Sequence, residues 1–124
     1  MAETFAELYK DTLKDVFLKL AQEQLAQGAD GLTCADAYAE QGKPEFALAY
    51  LLLTDMTDEA KRDIFARSYE QRASISELKA DEFSSKYHRP FTMIKMEARK
   101  DRTAARRIRK GQSLPPETKS LFVS

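Results

Sequence analysis

The chain has 124 residues, with 20 basic and 20 acidic side chains, one Cys, one His and no Trp. This length fits one domain whose single hydrophobic core folds without metals or disulfides. The lone Cys34 excludes an internal disulfide and a cysteine-rich zinc site. The first residues are acidic, and the longest apolar run, residues 46–53, is far shorter than a membrane span. We therefore expect a cytoplasmic protein with neither a signal peptide nor a membrane helix.

Charge is divided unevenly along the chain. Residues 1–85 contain 17 acidic and 9 basic side chains, whereas residues 86–124 contain 3 acidic and 11 basic ones. Such asymmetry indicates either an interaction tail or a self-complementary molecule. We divide the chain into an acidic helical body (1–89), a basic helix (90–111) and an extended or disordered tail (112–124).

The first segment has helical signals at both ends. Apolar residues recur at helical spacing over residues 4–27, which predicts one amphipathic helix. Thr4 followed by Glu7 is typical of a capping box at its start, and Gly28 suits the left-handed conformation at its end.

A pair of shorter helices follows. Thr33 is expected to cap a helix over residues 34–41 that ends at Gly42. Pro44 then suits the first position of a helix over residues 44–55, because that position needs no N–H donor. This second helix is apolar on every side, which predicts that it lies at the centre of the core.

Small and bulky residues in this pair have the spacing of a tetratricopeptide-type helical hairpin. They are Ala35, Tyr38, Gly42, Ala47 and Leu51. The segment resembles one such unit, although no second copy follows about 34 residues later. Any two tightly packed antiparallel helices also favour small residues where they cross. If the hairpin presents a groove, the expected ligand is a helix or a peptide.

Two longer helices complete the chain. Thr57 begins a helix that either continues through residues 74–76 or breaks there, and that must end before Pro90. The last helix is predicted over residues 92–110 and ends at Gly111. No segment alternates as a strand would, so the predicted fold is all-α. We expect a compact bundle of about five or six helices with a central antiparallel hairpin and a basic C-terminal helix.

Five cations lie within a strip of about 80° on the last helix. They are Lys95, Arg99, Arg102, Arg106 and Arg109. Neighbouring like charges destabilise a helix, by a total on the order of 1 to 2 kcal/mol here. An acidic group is therefore expected to relieve the repulsion. The opposite face is thin and apolar, with Ala98, Ala105 and Ile108 on it.

Three explanations of this strip remain open. Nucleic-acid phosphates would suit the planar fork of Arg. The acidic body of the same chain, or of a second subunit, could neutralise the strip without any other ligand. The cations near the C-terminal end of the helix also favour the negative end of the helix dipole.

Part of the basic helix resembles the DNA-contacting basic region of leucine-zipper transcription factors. The similarity covers about ten residues, from Arg102-Thr103-Ala104-Ala105-Arg106-Arg107 to Arg109-Lys110. Asp101 and Ile108 stand where that family has Asn and Cys or Ser, and no leucine heptads follow Gly111. We therefore do not predict sequence-specific DNA binding, and an RNA backbone is an equal candidate.

Residues that typically carry catalysis are sparse. Cys34 and His88 form the one candidate nucleophile and base, but they lie 54 positions apart, and a buried structural Cys is the commoner outcome. The four glycines form no phosphate-binding loop. We predict no enzyme activity, no metal site and no cofactor.

The sequence therefore predicts a non-catalytic regulatory or accessory protein. The five strip residues are expected to contact the backbone of RNA or DNA. The alternative is a protein-interaction scaffold or homo-oligomer, including a homodimer, in which the basic helix pairs with an acidic protein surface.

Overall fold

The computed structural model describes residues 4–87 and 92–114, with residues 83–87, 92 and 93 described by their backbone only. Within this part of the chain all regular structure is helical, which confirms the all-α prediction. The elements are α1 (Phe5–Tyr9), a 3₁₀ turn (Lys10–Thr12), α2 (Asp15–Ala26), α3 (Gly31–Glu40), α4 (Pro44–Leu53), α5 (Asp58–Tyr87) and α6 (Thr92–Arg109). Residues 88–91, in which the end of α5 was predicted, and residues 115–124 of the predicted tail lie outside the described residues.

The prediction of one helix over residues 4–27 is wrong, because the chain turns between α1 and α2. Thr12 Oγ1 donates a hydrogen bond of 2.6 Å to the carbonyl of Tyr9, and Leu13 is extended. This turn lets Tyr9 and Leu13 both enter the core, with 0% and 6% of their surface exposed. The predicted ends are confirmed: Glu7 N donates to Thr4 Oγ1, and Gly28 has a φ of +98°.

The central hairpin of α3 and α4 is present, with a different cap. Asp30 caps α3, since its Oδ2 accepts hydrogen bonds from the backbone N (2.9 Å) and hydroxyl (2.6 Å) of Thr33. The helix therefore begins at Gly31, earlier than predicted. Gly42 makes the turn with a φ of +69°, and its backbone lies against that of Arg72 on α5.

Helix α4 is buried over most of its length, as its uniformly apolar sequence predicts, but α5 rather than α4 is the helix that packs against most of the others. Leu48 and Leu51 are fully buried. Beside them four buried aromatic rings pack edge to face, with centroids 4.9 to 5.7 Å apart: Phe5, Tyr9, Phe65 and Tyr69. Burial raises the pKa of Tyr9 to about 12, and its hydroxyl donates to the Gln112 carbonyl at 2.6 Å. This hydrogen bond joins the segment that follows α6 to α1.

Helices α5 and α6 form a long antiparallel pair. α5 is continuous through residues 74–76, so the break left open by the sequence does not occur. Alanines recur every seventh residue along the contact and are fully buried or nearly so: Ala66, Ala73 and Ala80 on α5, and Ala98 and Ala105 on α6. Small residues at this spacing let two helices approach closely. The predicted apolar face of the basic helix is therefore confirmed as its packing face.

Candidate interaction surface on the basic helix

The five cations of the predicted strip lie in two rows along α6. The inner row, on the side toward α5, consists of Lys95, Arg102 and Arg109, each seven residues from the next. The outer row contains Arg99 and Arg106, also seven apart, and Lys110 extends it by one turn. Because the rows differ by only a few tens of degrees around the helix, the sequence suggested a single strip.

Carboxylates of α5 neutralise the inner row. Arg109 is 2.8 Å from Asp63 and 2.7 Å from Glu70, Arg102 pairs with Glu77, and Lys95 is 3.6 Å from Asp81. Three of these acids are themselves seven residues apart along α5. Beside the buried alanines, acidic residues of α5 therefore pair with basic residues of α6. Such pairs flank the contact in other paired helices too.

These ion pairs change the acidity of their members. The hydrogen bond from Arg109 lowers the pKa of the Asp63 carboxyl, with Arg67 adding to the effect. Hydrogen bonds to Glu70 and Asp63 raise the pKa of Arg109, and the bond to Glu77 raises that of Arg102. All three cations of the inner row are therefore already partnered within the molecule.

Replacing Arg109 should raise the pKa of Asp63. In Arg109→Gln the carboxyl loses its main donor, and its pKa should move part of the way to the ordinary value, because Arg67 Nε remains 3.2 Å away. Asp63 titrates below its unfolded value in the native protein, so its contribution to stability is present above about pH 4 and is lost as the pH falls through the folded pKa. A carbon-detected NMR titration of the Asp63 carboxyl measures the shift. Arg106→Gln is the control and should leave it unchanged.

The outer row has no such partners. Among the described residues, no carboxylate lies within 4 Å of Arg99, Arg106 or Lys110, and all three side chains are exposed. Arg106 Nη2 instead donates to Thr103 Oγ1 at 3.2 Å, and that hydroxyl donates to the Arg99 carbonyl at 3.0 Å. These bonds hold Arg106 along the helix. The side of α6 facing away from α5 therefore presents cations that no carboxylate within residues 4–87 and 92–114 neutralises.

The third side of α6 is closed to any ligand. Ala104 and Ile108 are fully buried, and Asp101 is 4% exposed. Both Asp101 oxygens accept hydrogen bonds from Arg72, at 2.9 and 2.7 Å. Burial acts to lower the pKa of Arg72, but the bonds to Asp101 outweigh it and the pKa lies above its usual value. The residues that carried the resemblance to a DNA-contacting region thus lie partly in the core.

The candidate nucleophile Cys34 is half-buried in an apolar cleft of about 250 Å³ between α2, α3 and α4. Its aromatic lining is Phe17, Tyr38, Phe46 and Tyr50. His88, the proposed base, lies outside the described residues. No group of three His, Cys, Asp or Glu side chains within residues 4–87 and 92–114 could hold a metal ion, and no helix described there could cross a membrane.

No protein-family model, curated protein or solved structure matches this chain. The candidate surface accordingly rests on geometry alone. Sequence reasoning identified its cations but missed the row of carboxylates on α5 that neutralises three of the five. A signal was present, since Asp63, Glu70 and Glu77 repeat every seven residues, as do the inner-row cations.

Proposed function

We propose that this protein is a non-catalytic helical accessory protein that contacts an anionic macromolecule through the outer row of α6. The observation that carries the proposal is the difference between the two rows. Lys95, Arg102 and Arg109 have carboxylate partners, whereas Arg99 and Arg106 have none among the described residues. Cations that have no carboxylate partner among the described residues can bind an anion without first giving up an ion pair within the molecule.

The size of the row limits its affinity. Arg99, Arg106 and Lys110 extend over roughly 16 Å of helix, at about 1.5 Å per residue. Three cations give a slope of log K against log salt near −3 on duplex DNA, compared with about −4 to −5 if the whole strip were free. The expected interaction is therefore moderate and salt-sensitive.

Two kinds of macromolecule carry the required anions. The backbone of RNA or DNA is favoured by the arginine pair, because the guanidinium fork matches phosphate oxygens. An acidic protein surface is favoured by the carboxylates of α5 beside the row, because a protein can place its charges selectively. The outer row would serve either partner, and the same variants test both.

Reversing the two arginines of the outer row should weaken binding. The probes are mixed-sequence RNA, duplex DNA and poly-L-glutamate, each labelled and followed by fluorescence anisotropy at increasing salt. The native protein should bind at least one probe. Arg99→Glu/Arg106→Glu should weaken that binding by more than about tenfold, since two attractions become repulsions.

The matched control is Lys14→Glu/Lys19→Glu, which makes the same change in net charge at two exposed lysines, one just before α2 and one on it. It should retain binding to within about threefold if the row, rather than net charge, is responsible. Equal loss in both variants would contradict the proposal. So would a protein that binds none of the three probes at low salt.

A further inference from the structure

We infer that the apolar cleft between α2, α3 and α4 binds a segment of this same chain, Leu121-Phe122-Val123, with the Phe122 ring inside the cleft. The segment lies outside the described residues, and the cleft lies within them. The inference is independent of the proposed function, because no residue of the outer row lines the cleft. It gives a peptide of the chain itself as the ligand of the groove beside the α3–α4 hairpin.

The cleft has aromatic walls and room for one more ring. Its walls include a stack of three rings, in which the centroid of Tyr38 lies 5.0 Å from that of Phe46 and 5.8 Å from that of Tyr50. Phe17 meets Phe46 edge to face at 5.1 Å. A cavity of about 150 Å³ is enough to bind benzene in another protein. Since this cleft measures about 250 Å³, a phenylalanine ring can enter it and pack against its walls.

Further apolar surface is exposed at the edge of the cleft. Leu20 lines the cleft and is 47% exposed, and Val16, one helical turn before it, is 53% exposed. Covering such surface is favourable in proportion to the apolar area that is removed from water. Residues 115–124 are polar or Pro except for Leu121, Phe122 and Val123. These three residues are therefore the part of the segment that gains most by contact with the cleft.

The chain that leads to this segment is held against α1. The Tyr9 hydroxyl donates a hydrogen bond of 2.6 Å to the carbonyl of Gln112, and Arg107 Nε donates one of 2.7 Å to the carbonyl of Ser113. Leu114 is 2% exposed. The residues that follow Leu114 therefore start beside α1, which leads directly into α2 and so toward the cleft.

The segment is long enough to reach the cleft from this point. Phe17 lies eight residues after Tyr9. Because the intervening 3₁₀ turn and the start of α2 are helical, the Cα atoms of these two residues are at most about 20 Å apart. Ten residues join Gln112 to Phe122 and can span up to roughly 33 Å. A short tether also gives an effective concentration in about the millimolar range, so a contact of a few side chains is sufficient.

The reactivity of Cys34 reports whether the cleft is covered. It is the only cysteine of the chain, it lines the cleft, and it is half-buried among the described residues. Its rate of reaction with the thiol reagent dithionitrobenzoate is measured in the native chain and in Phe122→Asp. A carboxylate enters an apolar cleft only at a large desolvation cost, so the variant should leave the cleft open. It should react at least about tenfold faster than the native chain, with an unchanged circular dichroism spectrum.

Two further variants serve as controls. Phe122→Leu keeps a bulky apolar side chain and should react within about threefold of the native rate. Leu78→Asp makes the same apolar-to-acidic change on α5, at a residue that is 62% exposed and does not line the cleft. It should leave the rate unchanged.

Nuclear Overhauser effects measure the contact itself. The native chain should show them between the ring protons of Phe122 and those of Tyr38 or Phe46, and the protection of Cys34 should not depend on protein concentration. Equal rates in the native chain and Phe122→Asp would overturn the inference, as would the absence of these effects. Protection that increases with concentration would assign the cleft to a second copy and overturn it too. None of these measurements involves the outer row, so each of these failures leaves the proposed function standing.

Discussion

Replacing Gly42 by Ala should destabilise the protein by about 2 to 5 kcal/mol. Gly42 has a φ of +69°, a conformation that costs an L-residue roughly 1 to 2 kcal/mol. A Cβ there would also lie 2.9 Å from the backbone N and Cα of Arg72, which cannot rotate away. Relieving that overlap moves the α3–α4 hairpin from α5, at a cost of about 1 to 3 kcal/mol. Urea unfolding followed by circular dichroism measures the sum.

Gly111 provides a control with the same backbone conformation. Its φ is +70°, but no atom of the described residues lies within 4 Å of the position that a Cβ would take. Gly111→Ala should therefore cost only the conformational part, about 1 to 2 kcal/mol. If the two variants lose the same stability, close approach of the hairpin to α5 is not what Gly42 permits.

Local signals were sufficient to predict most helices but not where the first one breaks. Thr4, Pro44 and Thr57 act at helix ends through bonds or geometry confined to a few residues. The turn before Leu13 instead exists because Tyr9 and Leu13 must both reach a core formed by later helices. No pattern within residues 4–27 carries that requirement, since the whole segment is compatible with one helix.

The sequence predicted which cations lie on the exposed side of α6, but not which of them pair with carboxylates of α5. Angles around α6 could place Arg102 and Arg106 on one strip, because helical geometry is local. Which of them is neutralised depends on the register between α5 and α6, which the buried alanines determine. In that register Arg102 forms an ion pair with Glu77, whereas Arg106 donates a hydrogen bond to Thr103. The shared seven-residue repeat of the acids on α5 and of the inner-row cations on α6 would have indicated this pairing.

Asp101 shows how the packing of one residue decides what α6 can do. In the sequence it stands among cations as an isolated acid. In the structure its carboxylate is buried and holds Arg72, which also lies over the Tyr69 ring and 3.8 Å from Glu45. Arg72 therefore joins α4, α5 and α6 at one point. The pair is therefore one contact, beside the alanine contact, that holds α6 with its outer row toward solvent.

Removing Asp101 should cost about 2 to 3 kcal/mol. Asp101→Ala leaves Arg72 without its main partner, and a broken buried pair costs about 3 to 5 kcal/mol. The lower figure is expected here because a quarter of the Arg72 side chain is exposed and Glu45 remains near it. Urea unfolding of the single variant measures the loss.

The double variant Arg72→Met/Asp101→Ala separates the ion pair from simple packing. Met retains the contact of the side chain with Tyr69 and removes the charge, so no buried cation is left without a partner. The double variant should therefore be more stable than Asp101→Ala alone, with a coupling energy of about 1 to 3 kcal/mol in the double-mutant cycle. Additive losses would mean that the two residues act independently and that the rotation of α6 is set by the alanine contact alone.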